Sequence, residues 1–341
     1  MSSWPPGCPC PPGWLPAGLN NGWSYRDRIA PGDAGRSLCA YYAGRYRHSS
    51  QALWQARLAA GEIRWNGQRL LVDRRLATGD RLEWDRPPWE EPPVPEHWCT
   101  VFDDGDLHVI NKPSGLPVVP AGGYLEHTLQ RMLERRWVER GGGVPRPVHR
   151  LGRFTSGLLV CARQQATRAW LSARLRQTTA SPASGPGDGG QPCRKIYRAL
   201  TVPAALPLEP GEWLEVSTAI GRRPHPLLGE VWCAASADSP GALAARSVVR
   251  LLERRADGDR VEVTIHSGRP HQIRIHLASL GAPLLGDPLY LPGGGARVEG
   301  LPGEGGYHLH AHRLLIRSEG QGHDLDLTAP LPQSLTVAKD G

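Results

Sequence analysis

Four short segments gather the residues able to hold a charged or flat ligand. They read Asn111-Lys112-Pro113-Ser114-Gly115-Leu116, then His149-Arg150-Leu151-Gly152-Arg153-Phe154-Thr155-Ser156-Gly157-Leu158-Leu159, then Lys195-Ile196-Tyr197-Arg198-Ala199. The last is Ser267-Gly268-Arg269-Pro270-His271-Gln272-Ile273-Arg274-Ile275-His276-Leu277, followed by Gly286-Asp287-Pro288-Leu289-Tyr290. Arginine recurs through them, and its guanidinium forks onto anions and stacks on flat bases. A further pattern, His308, His310 and His312, alternates, so on a strand the three rings would share one face, as metal ligands can. No Gly-rich nucleotide loop, Gly-x-Ser-x-Gly elbow or His-Glu-x-x-His zinc signature is found.

In this order and at this spacing the four segments resemble the RluA-like RNA pseudouridine synthases over nearly all of residues 98–315. That resemblance implies cleavage of the bond between uracil and ribose, rotation of the base and reattachment through carbon-5. A stacked base cannot rotate, so the uridine of a structured RNA has to be flipped out first. A carboxylate is wanted beside the sugar, an aromatic group on the freed base, and a general base for the carbon-5 proton. By resemblance Tyr197 stacks on the base and can assist proton removal, Arg274 pairs with the catalytic carboxylate, and Arg150 fills the gap left by the flipped nucleotide. Arg153 and Lys112 join Arg150 as RNA-binding candidates. No redox cofactor and no metal is implied. The His308–His312 run falls where the family has a closing core strand, and His271 reads as a structural hydrogen-bonding residue near the site.

The chain departs from the family at one position. The family motif is His-Arg-Leu-Asp, and here it is His149-Arg150-Leu151-Gly152. Glycine can neither attack a sugar nor accept a proton, so Gly152 marks the catalytic position without supplying its chemistry. Arg274 loses its expected partner, and an unpaired buried guanidinium costs about 3–5 kcal/mol. Either the pocket is wetter, or another acid has moved in (Asp287, Glu126 or the Asp103-Asp104-Asp106 cluster), or Arg274 grips an RNA phosphate or sugar. The expected function is isomerisation of uridine in ribosomal or transfer RNA. The alternative is a catalytically inactive descendant that still binds RNA.

The elements that must position these residues follow from local patterns. The resemblance implies an α+β fold: a mixed, mainly antiparallel sheet with flanking helices over 98–335, preceded by a small α/β RNA-binding domain. Residues 1–23 read as an irregular tail and 87–97 as a stiff, Pro-rich linker. Within 24–86, Ser49 or Ser50 can cap a helix over 51–58 that Gly61 ends. Asn66-Gly67 is a hairpin signal, with Leu70 and Val72 on the return strand, and Arg81–Trp84 reads as a third strand. This segment resembles the S-four-like RNA-binding fold, in which Arg57, Arg64 and Arg69 would meet phosphates. Farther on, Leu158–Val160 reads as a strand, and Ala166, Ala169, Trp170 and Ala173 mark the buried face of a helix. Residues 178–192 and 293–306 are low-complexity loops.

Composition bounds the rest. The formal net charge of the 341 residues is +7, which favours an anionic partner. All but three of the 40 basic residues are arginine, the exceptions being Lys112, Lys195 and Lys339; codon bias accounts for most of that skew. Seven cysteines without paired spacing exclude a disulfide scaffold and a zinc knuckle. No signal pattern and no apolar run of spanning length occurs, so a cytoplasmic monomer that does not touch membranes is expected.

Overall fold

A computed structural model of the chain describes residues 13–138, 141, 143–176, 193–300, 306–317 and 324–336. Most of the expected tail, the loop at 178–192 and part of the loop at 293–306 lie outside the described residues. The chain divides into two compact units. One takes residues up to Pro16, Pro93–Arg223 and Val231 onward, and the other takes Ala17–Pro92 and Pro224–Glu230.

The smaller unit is a four-stranded antiparallel sheet in the order Trp23–Arg28, Arg81–Arg86, Ile63–Trp65, Gln68–Arg69, carrying helices Leu38–Arg45 and Gln51–Ala59. Serine hydroxyls cap both helices: Ser37 Oγ accepts from Ala40 N, and Ser50 Oγ from Leu53 N. Asn66 and Gly67 both adopt positive φ, 48° and 86°, which matches the right-handed twist of a two-residue hairpin. The return strand is shorter than the alternation suggests. It stops at Arg69, and Leu71 and Val72 are exposed. Tyr42 stacks on Trp54 at 4.5 Å, and Trp54 meets Trp84 edge-on at 4.7 Å, so flat rings fill the core between helices and sheet.

The expected tail and linker are not featureless where they are described. Trp14–Leu15 pairs antiparallel with Val94–Pro95, and Gly18–Leu19 pairs with Glu90–Glu91. Two-residue ladders of this kind are edge pairings, which tolerate the flanking prolines.

The larger unit is built on a ten-stranded sheet. Its order is Trp213–Val216, Ser247–Glu253, Asp259–Ile265, Cys193–Thr201, Leu309–Ile316, Thr155–Ala162, Leu107–Lys112, Cys99–Asp103. Arg146–Pro147 and Leu325–Thr328 pair off this path. The sheet is mixed and mainly antiparallel, and the fold is α+β. The parallel pairing joins Thr155–Ala162 to Leu309–Ile316, with Thr155 opposite Leu309 and Gly157 opposite Ala311. Thr155–Ala162 is buried at all eight positions, as a strand covered on both faces requires. Gly157 has φ +101°, and a Cβ there would strike the Ala311 backbone, so only glycine lets the two strands approach.

Helices Leu129–Val138, Gln165–Arg176 and Gln272–Ser279 lie with this sheet. The helix at 165–176 buries Leu171, Arg174 and Leu175, while Ala166 and Ala169 are exposed. Its face is therefore rotated from the alanine stripe read in the sequence. Two leucines one turn apart bury more apolar area than three alanines, and they set the orientation.

Candidate active site

The helix Gln272–Ser279 is buried from Gln272 to Ala278, so its polar residues must be satisfied internally. Gln272 does this at its start: Oε1 accepts from Ser267 Oγ at 2.7 Å and from Arg269 N at 3.1 Å, while Nε2 donates to Arg246 O and Ser247 Oγ. His276 bridges Ser247 Oγ and Thr218 O, each at 2.9 Å. These bonds fix the helix and leave Arg274, within it, in one orientation.

Arg274 is buried and has a carboxylate. Nε and Nη2 donate to Asp287 Oδ2 and Oδ1, each at 2.7 Å, a bidentate fork. Asp287 Oδ1 also accepts from Leu289 N and Tyr290 N, so the turn after Gly286 holds the acid in place. Burial works against the guanidinium charge, but the bond to Asp287 and the electrostatic interactions with Tyr307, Asp287 and Tyr290 together outweigh it and keep the pKa above its ordinary value. Two rings flank the cation, with Cζ 4.5 Å from the Tyr307 centroid and 4.9 Å from that of Tyr290. Of the acids weighed from the sequence, Asp287 is the one that pairs with Arg274, and its side chain is 0% exposed.

The other acids have separate duties. Asp103 takes a fork from Arg163 and binds His108 Nδ1 at 2.8 Å; burial opposes its charge, but those donors hold its carboxyl well below the usual range. Asp104 accepts from Asp106 N and Leu107 N in the turn before Leu107–Lys112, and Asp106 accepts from Arg163 N and Gln164 N. Glu126 faces Arg131 at 3.8 Å.

Gly152 sits in the loop before Thr155–Ala162, and its carbonyl accepts from Thr155 N at 3.0 Å. A Cβ there would fall well inside 3.0 Å of Tyr307 Oη, which in turn shares a 3.3 Å hydrogen bond with Thr155 Oγ1. Arg150, two residues earlier, is exposed. Burial first, then the Arg274 and Arg150 charges, push the His271 imidazole down to about 4, so the ring is neutral near pH 7. His271 Nδ1 lies 2.7 Å from Tyr290 Oη, which donates to Trp232 O. Tyr197 packs against both hydrophobic clusters, one containing Tyr307 and Ile273 and the other involving Leu151 and Ala311. Burial pushes its phenol above the ordinary value.

Two of the expected RNA contacts are otherwise engaged. Lys112 is 0% exposed, and Nζ donates to Pro113 O, Leu116 O and Arg153 O at 2.8, 2.8 and 3.0 Å. All three protons are used inside the protein, so this lysine is a strut between the 113–116 turn and the 150–154 loop rather than a phosphate contact. Burial, then Arg153, push its pKa down to about 7. Arg153 Nε donates to Gly115 O, and its guanidinium lies between the Tyr124 and Phe154 rings at 4.7 and 4.9 Å.

In the smaller unit each candidate arginine also has protein partners. Arg57 lies over Trp54 and Trp84 at 4.4 and 4.6 Å, and Arg64 pairs with Asp85 at 2.6 Å. Arg69 donates to Gly61 O and Ala60 O, closing the end of helix Gln51–Ala59. The alternating histidines are separately bound too: His308 to Ser334 Oγ, His310 to Ser156 Oγ, His312 to Ala329 O. Sequence reasoning missed Tyr307 altogether. No local signal marks it, because the parallel strand pairing brings it to Thr155 across 152 residues.

The family described as RNA pseudouridylate synthase matches residues 106–279. An uncharacterized RNA pseudouridine synthase of Synechocystis is 40% identical over 86% of this chain and 94% of its own length. RNA pseudouridine synthase 5 of Arabidopsis thaliana is 34% identical over 93% and 95%. Ribosomal large subunit pseudouridine synthase D of Neisseria meningitidis is 29% identical over 85% and 73%. The matched span holds the 149–157 loop, Tyr197 and Arg274 together, and the chain belongs to the RNA pseudouridine synthase family.

Proposed function

We propose that this chain isomerises uridine to pseudouridine in a structured RNA, with ribosomal RNA the first substrate to test and transfer RNA the second. The observation that carries the reading is the buried, charged Arg274, forked by Asp287 and flanked by Tyr290 and Tyr307 at the site the family motifs define. In this reading Gly152 occupies the position of the family's catalytic aspartate. Arg150, which is exposed, enters the space left when the uridine leaves its stack. Tyr197 supports the freed base and its hydroxyl assists removal of the carbon-5 proton, while Arg274 presents positive charge beside the sugar, where the base departs as an anion. The small unit is a second RNA-binding surface of S-four-like type, and the protein works as a cytoplasmic monomer.

A second reading is favoured by a specific observation. Gly152 carries no acid, and the Asp287 carboxylate is wholly covered by its four donors. A chain so built binds a flipped nucleotide without rearranging it.

Tritium release from carbon-5-labelled uridine in RNA separates the two. The isomerase reading expects release from the wild type and a fall of about 100-fold or more in Tyr197→Phe, the usual range for losing a proton-transfer group. No release from the wild type, with release from Gly152→Asp, would sink it.

A further inference from the structure

Gly152 lacks a side chain, but the space beside it is filled. The atom that a Cβ would strike is Tyr307 Oη, and Thr155 Oγ1 lies 3.2 Å from the same point. This phenol does not swing aside at little cost. Oη is tied to Thr155 Oγ1, the ring covers Arg274, and Phe154 meets it edge-on with centroids 6.0 Å apart. The backbone behind it is fixed two residues on, where Leu309 enters the parallel register with Thr155. One hydroxyl therefore stands in the seat that a longer residue at 152 would take, with a guanidinium against its ring. Tyr307, itself buried, also borders a cavity of about 450 Å³ with Phe154, Ser156 and His308.

We infer that Tyr307 is the sugar-facing residue of this site, its hydroxyl exchanging a hydrogen bond with the ribose 2′-hydroxyl of the flipped nucleotide. The inference rests on the reading of Gly152 given above. A phenol both donates and accepts, and the bond to Thr155 uses only one of those capacities. The complementary partner is another group that does both. Next to the anomeric carbon of a ribonucleotide that group is the 2′-hydroxyl, which also separates RNA from DNA. A carboxylate at 152 would accept only, so the exchange of side chains turns a charged contact with the sugar into a neutral, two-way one.

The test uses the full chain and two hairpins of one sequence, the first with uridines in its loop and the second with 2′-deoxyuridines there. Wild type is expected to prefer the ribo loop by about 3- to 10-fold, the range of one net hydrogen bond. Tyr307→Phe keeps the ring over Arg274 and should bring that ratio close to one while binding the deoxy loop as wild type does. A wild type indifferent to the 2′-hydroxyl, or a preference unchanged in Tyr307→Phe, overturns the inference. The steric half is read separately by thermal unfolding. Gly152→Asp should lower Tm by about 2 °C or more, and adding Tyr307→Phe should recover most of it. Gly152→Asp as stable as wild type also overturns it. Pseudouridine mapping of total RNA with and without the gene tests turnover independently. Ribo preference through Tyr307 in a chain that leaves no pseudouridine supports this inference and sinks the isomerase reading.

Discussion

Arg274 shows how a charge survives in the interior of this protein. Its partner could not be chosen from the sequence, where Asp287, Glu126 and three neighbouring aspartates were equal candidates. Folding chose Asp287 because the turn after Gly286 supplies two backbone donors that aim the carboxylate at Nε and Nη2. Asp287→Asn should keep the shape and remove the countercharge. Breaking a buried pair from one side costs about 3–5 kcal/mol, so urea unfolding should show a lower midpoint at an unchanged slope. An unchanged midpoint would mean that Arg274 is stabilised by its rings alone. The segments that hold Arg150, Tyr197 and Arg274 are legible because they are short and come in a fixed order. Lys112 was misjudged in the same stretch, because a lone lysine in a loop motif gives no sign that three carbonyls will surround it.

Elements were legible where a local rule decides them and illegible where packing does. The Ser50 cap, the Asn66-Gly67 turn and the Arg81–Arg86 strand carry their own signals. Helix Leu38–Arg45 and strand Trp23–Arg28 were missed. The helix mixes ring-bearing residues with a glycine, and the strand alternates around charged residues, so neither shows a clean apolar period. The helix at 165–176 was found, but its buried face was set by Leu171 and Leu175 meeting the sheet. The junction of Thr155–Ala162 with Leu309–Ile316 can be tested through Gly157. Gly157→Ala places a methyl against the Ala311 backbone and strains φ +101°, with an expected loss of at least about 1–3 kcal/mol. Gly211→Ala has a similar φ of +97° and open space, so it isolates the backbone part alone. Equal losses in the two variants would show that the strands yield at no cost.

At the scale of the whole molecule, buried neutral histidines set the acid limit. Burial pushes His271, His276 and His310 down to about 4 and His149 to about 3. Their folded values lie below that of free histidine, about 6.5, so between those limits the unfolded chain binds more protons than the folded one. Stability is therefore complete above about pH 6.5 and falls as pH drops toward 4. Calorimetric Tm should decline steadily over that window, and a Tm flat from pH 7 to 4.5 would contradict the burial of these rings. Composition made the basic charge and an anionic partner legible, and the four ordered segments made the family legible. The central pairing was not, since nothing local says that a strand near residue 155 waits for one near 310.

That pairing has a consequence in time. Ser156 and His310 lie 154 residues apart in the chain yet bond directly, and Gly152 and Tyr307 meet beside them. During synthesis the loop of Gly152 is made well before its counterpart at Tyr307. Contacts of such long sequence separation form slowly, after the chain has met the loop-closure entropy. The two sides of the proposed site are thus joined only after both have been made, so an arginine-rich chain still growing past Gly152 lacks the Tyr307 side of it.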